Sequence, residues 1–317
     1  MAYRYAAWMG VLLGTSSVFA WPEVPLVPVP PLPLPLAPTA PLVSPANPAA
    51  PALNAPPMNE AGNKATLTVP EVPTTPPQRI DNPEQLLRLA REQMSRFDSY
   101  IVRLSRREAL NGQMQPGEVM MFRFRARPWS VYLKWLGKEG KGREVVYVKG
   151  QHENKIHSLL SAGDIPFMPA GKRMALSPDN ILVRNACRHP LEQAGLAASV
   201  ERIGRLLANT QDDPKRHGTL KLVGPVARDE FEKPVWGLEH TMPPGLDPTL
   251  ERGGKRTYFF HPETHLPMLI TAFDERGNEA EYYFYDRLQR AVKLDDHDFD
   301  PDHLWGKPAE STTTASR

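Results

Sequence analysis

The chain has 317 residues, 35 of them proline and one of them cysteine, with a formal net charge of +2. So small a charge excess excludes a global electrostatic case for nucleic acid, and a single cysteine excludes an intrachain disulfide framework. The prolines crowd into the first quarter. What remains is one stretch of ordinary composition, of a size that buries roughly 70–75% of its unfolded surface without covalent staples.

The N-terminus reads as an export signal. Arg4 supplies a positive start, Ala6 to Val18 form a short apolar run, and Val18-Phe19-Ala20 offers a cleavage site after Ala20. That run is shorter than the ~20 residues that span a bilayer. A periplasmic, cell-envelope location follows as the expectation. Residues 21–78 alternate proline with Leu, Val and Ala. Such a sequence forms neither helix nor sheet ladder and extends as a polyproline II spacer. It is expected to be a disordered tether, with the docking of a partner as the competing account.

A globular domain is expected over 79–305, followed by a polar, disordered tail over 306–317. Asp81 or Asn82 caps its first helix, Pro83 takes the first helical position, and Glu84 favours the positive end. Leu86, Leu87, Ala90, Met94 and Phe97 recur at helical spacing on one face. Strands are predicted at Tyr100 to Arg107, then around Met120, Phe122 and Phe124, which alternate with Met121, Arg123 and Arg125. Val131, Leu133 and Trp135 mark the next strand, and Arg143 to Lys149 and Lys155 to Leu160 two more. The connections are too short for crossover helices, so these strands form an antiparallel meander. A second helix is predicted from Pro190 to Ala208, with Leu191, Ala194, Ala197, Val200, Ile203 and Leu207 as its apolar stripe. Five further strands follow, at Thr219 to Val223, Val235 to His240, Arg256 to Phe260, Pro267 to Phe273 and Glu279 to Tyr285. The resulting fold is α+β: a curved antiparallel sheet, a half-open β-barrel, covered by helices. Helices lidding such a sheet in place of a second sheet can leave an apolar pocket between.

Two stretches carry a likeness. Arg125 to Gly150 (RARPWSVYLKWLGKEGKGREVVYVKG), continued by Arg188 to Gly195 (RHPLEQAG), resembles a secreted bacterial family, the domain of unknown function numbered 1571. The likeness covers nearly all of 97–301. It is most specific at Arg125-x-x-Pro128-x-x-Val131-Tyr132, at Gly142-Arg143-Glu144 and at Arg188-His189-Pro190. The C-terminal LPMLITAFDERGNEAEYYFYDRLQ, followed by LDDHDFDP, is similar to the closing hairpin of the lipoprotein-carrier fold of LolA and RseB-type sensors. That resemblance implies a groove for acyl chains or another apolar ligand. The family has no assigned activity, so it supplies no functional residues.

Arg123, Arg125 and Arg127 form a basic stripe, with Lys134, Arg143 and Lys149 on neighbouring strands. Arginine forks match phosphate and carboxylate head groups; an ordinary solvated face with cross-strand partners such as Glu118 or Glu144 is the expected account of the stripe. Arg188 and His189 either attract an anion at a helix start or sit in a loop where the imidazole bonds backbone. Phe122, Phe124 and Trp135 are core residues or groove lining, since both fates need an inward face. Together Arg125, Arg143, Arg188, His189, Phe122, Phe124 and Trp135 are the candidate ligand-binding residues.

Asp295 to His303 opens like a calcium loop, but Pro301 and Lys307 stand where glycine and glutamate are required. An acidic, solvated segment is the expected account, and no metal or other cofactor is expected. The chain has no nucleophile elbow, zinc-protease helix or phosphate-binding glycine loop. Cys187 is expected to be buried. The function expected is therefore non-enzymatic: binding of a lipid, acyl chain or lipoprotein. An envelope sensor or adaptor that binds a protein partner is the alternative.

Overall fold

The computed structural model describes residues 79–110 and 112–307; the expected export signal, the proline-rich stretch and the tail beyond Lys307 lie outside the described residues. Helix α1 (Pro83–Met94) starts as its sequence requires. Asn82 accepts a hydrogen bond from the Gln85 amide at 2.8 Å, and Leu86, Leu87 and Ala90 are buried. The strands are β1 (Ser99–Leu110), β2 (Gln113–Met114), β3 (Glu118–Arg125), β4 (Ser130–Trp135), β5 (Glu144–Val148), β6 (Ile156–Leu159) and β7 (Arg173–Leu176). Short α2 (Ile181–Arg184), long α3 (Gly195–Asp212) and short α4 (Pro214–His217) follow. Then come β8 (Thr219–Val226), β9 (Val235–Met242), β10 (Gly254–Phe260), β11 (Pro267–Asp274) and β12 (Glu279–Arg290), and the described chain closes with α5 (Pro301–Trp305).

The strands make one antiparallel sheet in the order β7-β6-β5-β4-β3-β1-β12-β11-β10-β9-β8, with β2 paired to β1. Two meanders, β3 to β7 and β8 to β12, are thus stitched together by β1. The sheet does not close, because β7 and β8 stand at opposite edges. Residues Met120, Phe122 and Phe124 of β3 face Leu104, Val102 and Tyr100 of β1 and Trp135, Leu133 and Val131 of β4. This alternation sends one apolar stripe from each strand to the inner face. There α1 and α3 pack against it through Leu86, Leu87, Leu196, Val200, Ile203 and Leu207. Each large side chain so buried contributes about 1.5–3 kcal/mol. The expected α+β, half-open sheet under helices is what the chain forms.

The second helix begins later than predicted. Leu191–Gln193 forms one 3-10 turn, Ala194 is extended, and α3 starts at Gly195 with φ +90°. The Leu196 amide donates to the Tyr100 hydroxyl at 2.8 Å, which pins this entry to the sheet. The acidic C-terminal segment also departs from expectation. It is folded over the outer face, with Phe299 fully buried against Tyr132, Val146 and Val148. Asp296 meets Arg125 at 2.8 Å and Asp298 meets Arg123 at 3.2 Å. Its aspartates are the partners of Arg123 and Arg125, whereas Arg127 pairs with Asp98, Lys134 with Glu144, and Arg143 with Asp164 and Glu118.

Candidate ligand-binding site

At one end of the sheet every central strand changes what it sends inward. On β1 the stripe Tyr100, Val102, Leu104 gives way to Arg106 and Glu108; on β3 Met120 gives way to Glu118. On β12 Tyr285 and Tyr283 give way to Glu281, on β10 Tyr258 to Arg256, and on β9 Leu238 to His240. The register lines these up across the sheet: Arg106 opposite Glu118 and Tyr283, Glu108 opposite Glu281, and Arg256 opposite His240. Between Arg256 and Glu281 the β11 position is Ala272, small enough for the two to meet over it. A belt of charge therefore ends the apolar core.

Glu281 is the hub of this belt. It has no solvent exposure. It accepts from Arg256 Nε at 2.7 Å and Nη2 at 3.1 Å, from Arg188 Nε at 3.2 Å and from His189 Nε2 at 3.0 Å. Burial raises its carboxyl, but Arg256 and His189 outweigh this and hold it well below the usual carboxylate range. Asp247, drawn down by Thr249 and Arg256 against its own burial, takes the other side of Arg256 at 2.9 Å. Further along, Glu118 accepts from Arg106 Nε at 3.1 Å and Trp135 Nε1 at 3.0 Å. Glu108 accepts from the Tyr283 hydroxyl.

Arg188 is the unusual member. Its side chain is 1% exposed, and although Nε and Nη1 are bonded, Nη2 has no hydrogen-bond partner; Asp247 Oδ2 stands 4.0 Å away. Buried guanidinium donors are normally satisfied; this group is held by its charge on Glu281 and Asp247 and not by a full set of hydrogen bonds. Arg188 is among the residues that line a cleft of about 1470 Å³ at the end of the sheet, beyond the belt. The lining is mixed. Seven arginines (Arg184, Arg188, Arg202, Arg205, Arg252, Arg256, Arg276) stand against five carboxylates, beside Leu110, Leu206, Met242, Leu246 and Leu250. The cleft is cationic and greasy at once, and it exceeds the ~300–1,000 Å³ of an ordinary ligand pocket.

The open space is not where the sheet-and-helix plan alone suggests. Beneath α1 and α3 the inner face is lined by buried core side chains. A cavity beside Leu104, Phe122 and Leu133 is about 70 Å³, far smaller than an ordinary ligand pocket. Phe122, Phe124 and Trp135 belong to the buried core, and none of them lines the large cleft. Arg125, on the outer face, bonds Ser130 and Asp296 and lies 4.9 Å over the Phe299 ring. Arg143 pairs with Asp164 and lies 4.9 Å over Trp135. Only Arg188 and His189 of the sequence candidates reach the cleft. They do so in the segment ahead of α3, not at its first turn, and the His189 imidazole meets a carboxylate, not backbone.

Glu281, Arg256, Glu108 and Asp247 are what sequence reasoning missed. Three of them continue the inward alternation of strands already recognised, and that continuation was the available signal. The Cys187 thiol donates to the His189 carbonyl at 2.9 Å, and burial pushes it up to about 11, so it stays protonated. Among the described residues no group of three or more His, Cys, Asp or Glu is placed to hold a metal ion. No described helix is long and apolar enough to cross a membrane.

Residues 97–304 match the model of a family described as a protein of unknown function (DUF1571). No curated protein matches the sequence. Among solved structures the chain is similar to Mycobacterium tuberculosis lipoprotein LppX, with 14% identity and a TM-score of 0.37, over 67% of this chain and 99% of that one. It is similar also to a LolA superfamily protein from Nitrosomonas europaea, with 13% identity and a TM-score of 0.30, over 71% and 100%. A third is MucB of Pseudomonas aeruginosa in complex with MucA, with 15% identity and a TM-score of 0.38, over 69% and 60%. Likeness at this level is one of plan; the architecture stands on the strand order and register above.

Proposed function

The chain belongs to the DUF1571 family of proteins of unknown function, and from that premise we propose that it is a non-enzymatic binding protein of the bacterial envelope. In this reading it is exported, loses its signal peptide after Ala20, and holds its domain on the proline-rich tether. Its ligand is an amphiphile, a lipid or the acylated end of a lipoprotein. The polar end of that ligand is anionic and sits against Arg188, while its chain lies along Leu206, Leu246 and Leu250.

The observation that carries the reading is the cleft itself, about 1470 Å³, lined by arginines together with Leu206, Leu246 and Leu250. Arg184, Arg202 and Arg205 have no carboxylate partner among the described residues, and they add the field that draws the anionic end in.

The test is native mass spectrometry of the chain purified from an envelope fraction, followed by organic extraction of bound material. The expected result is an added mass that extraction releases as an acylated species with an anionic head. A clean apo mass that persists after incubation with envelope lipids would refute the amphiphile and favour a protein partner.

A further inference from the structure

We propose that the cleft end of the molecule docks onto the surface of an anionic lipid bilayer, with Phe167 as the inserted residue. The proposal concerns how the molecule meets a membrane and stands whether or not the cleft holds an amphiphile.

Six large apolar side chains are exposed among the described residues: Met114, Leu136, Phe167, Met168, Ile181 and Phe273. The register places all of them at one end. Met114 pairs with Ala109 near the end of β1, and Phe273 pairs with Glu279 at the start of β12, two residues before Glu281 meets Glu108. Leu136 follows the last residue of β4, whose Trp135 faces Met120 near the start of β3. Phe167 and Met168 lie in the loop that leaves β6 at Leu159, opposite Glu144 at the start of β5. Ile181 lines the cleft beside Leu110 and Met114. Among the described residues the other end of the sheet carries none. Singly exposed apolar residues need no explanation, but their confinement to one rim does.

The tip of the rim is Ile165-Pro166-Phe167-Met168-Pro169, where Phe167 is fully exposed at φ +64°. A bulky residue held in the left-handed region points to function more than to packing. Next to it the turn between β4 and β5 carries exposed Lys138 and Lys141, and Arg143 joins turn to loop through Asp164. Exposed Lys172 follows the loop. Counting the turn and loop together, Lys138, Lys141, Arg143 and Lys172 oppose Glu139 and Asp164, four cations against two anions. An exposed aromatic in a loop joined to a cationic turn is the pattern that seats in an anionic interface.

The test uses the full chain, so that any contribution of its apolar N-terminal run is common to every variant. Flotation with phosphatidylcholine vesicles containing phosphatidylglycerol is compared with flotation on phosphatidylcholine alone. The expected result is a preference for the anionic vesicles that 0.5 M salt weakens, as screening requires. The double variant F167S/M168S should lose roughly tenfold in partitioning, and K138E/K141E should lose the anionic preference. A nitroxide carried on F167C should report an apolar environment when vesicles are present. Equal flotation of all variants, a nitroxide that stays in water on bound protein, or no flotation at all would each overturn the proposal. Since Phe167 makes no buried contact, unchanged thermal melting of the variants separates loss of docking from loss of fold.

Discussion

Glu281 shows how much one buried charge depends on its neighbours. It is fully enclosed and takes hydrogen bonds from Arg256, Arg188 and His189. Replacing it with the isosteric amide leaves two buried guanidinium groups with Asp247 alone as counter-charge. Glu281→Gln is therefore expected to cost about 3–5 kcal/mol, read from urea unfolding at neutral pH. The acid limb follows from the same residue. Glu281, Glu118 and Asp247 each titrate lower in the folded chain than their ordinary values of 4.5, 4.5 and 3.8. The unfolded chain therefore takes up protons first, and the stability these groups contribute is lost as pH falls below about 4.5. Urea midpoints should drop from pH 6 to pH 3, and more shallowly in Glu281→Gln than in the wild type. An identical slope in both would remove Glu281 from the account. Arg188 and His189 were legible in the sequence as a basic pair, but their partner was not, because Glu281 lies 93 residues from Arg188.

At the scale of elements, the prediction that failed is as informative as those that held. Pro190 is a good helix starter, yet α3 waits until Gly195, because the residue entering α3 must take φ +90° within reach of the Tyr100 hydroxyl. A β-carbon at Gly195 would stand 2.5 Å from that oxygen and 3.0 Å from the Phe122 ring. Gly195→Ala should thus cost about 2–4 kcal/mol, strain and crowding together. Gly277→Ala, with φ +84° and open space around it, should cost only the strain, about 1 kcal/mol. Urea unfolding of the two variants checks this, and equal costs would contradict the crowding. Strand alternation and the Asn82 cap are local signals and could be read directly. The docking of the C-terminal segment could not: its aspartates meet arginines on β3 some 175 residues away, and local composition advertises only charge. Phe299 was the one apolar cue within it.

For the whole molecule, two meanders hinged on β1 make a sheet whose inner face has two regimes. The larger part is sealed by α1 and α3, and the end beyond the charged belt is open, cationic and rimmed by apolar side chains. The half-open plan was legible because five short strands on either side of a helix leave few alternatives. The position of the opening was not, because it depends on how completely α3 fills the middle. The most direct measurement is photo-crosslinking with an anionic lysophospholipid that carries a diazirine on its acyl chain, followed by peptide mapping of the adducts. Saturable labelling of cleft residues on α3 and in the β9–β10 connection, Leu206, Leu246 and Leu250 among them, is the predicted result. Labelling confined to the outer face, or labelling that does not saturate, would contradict the account.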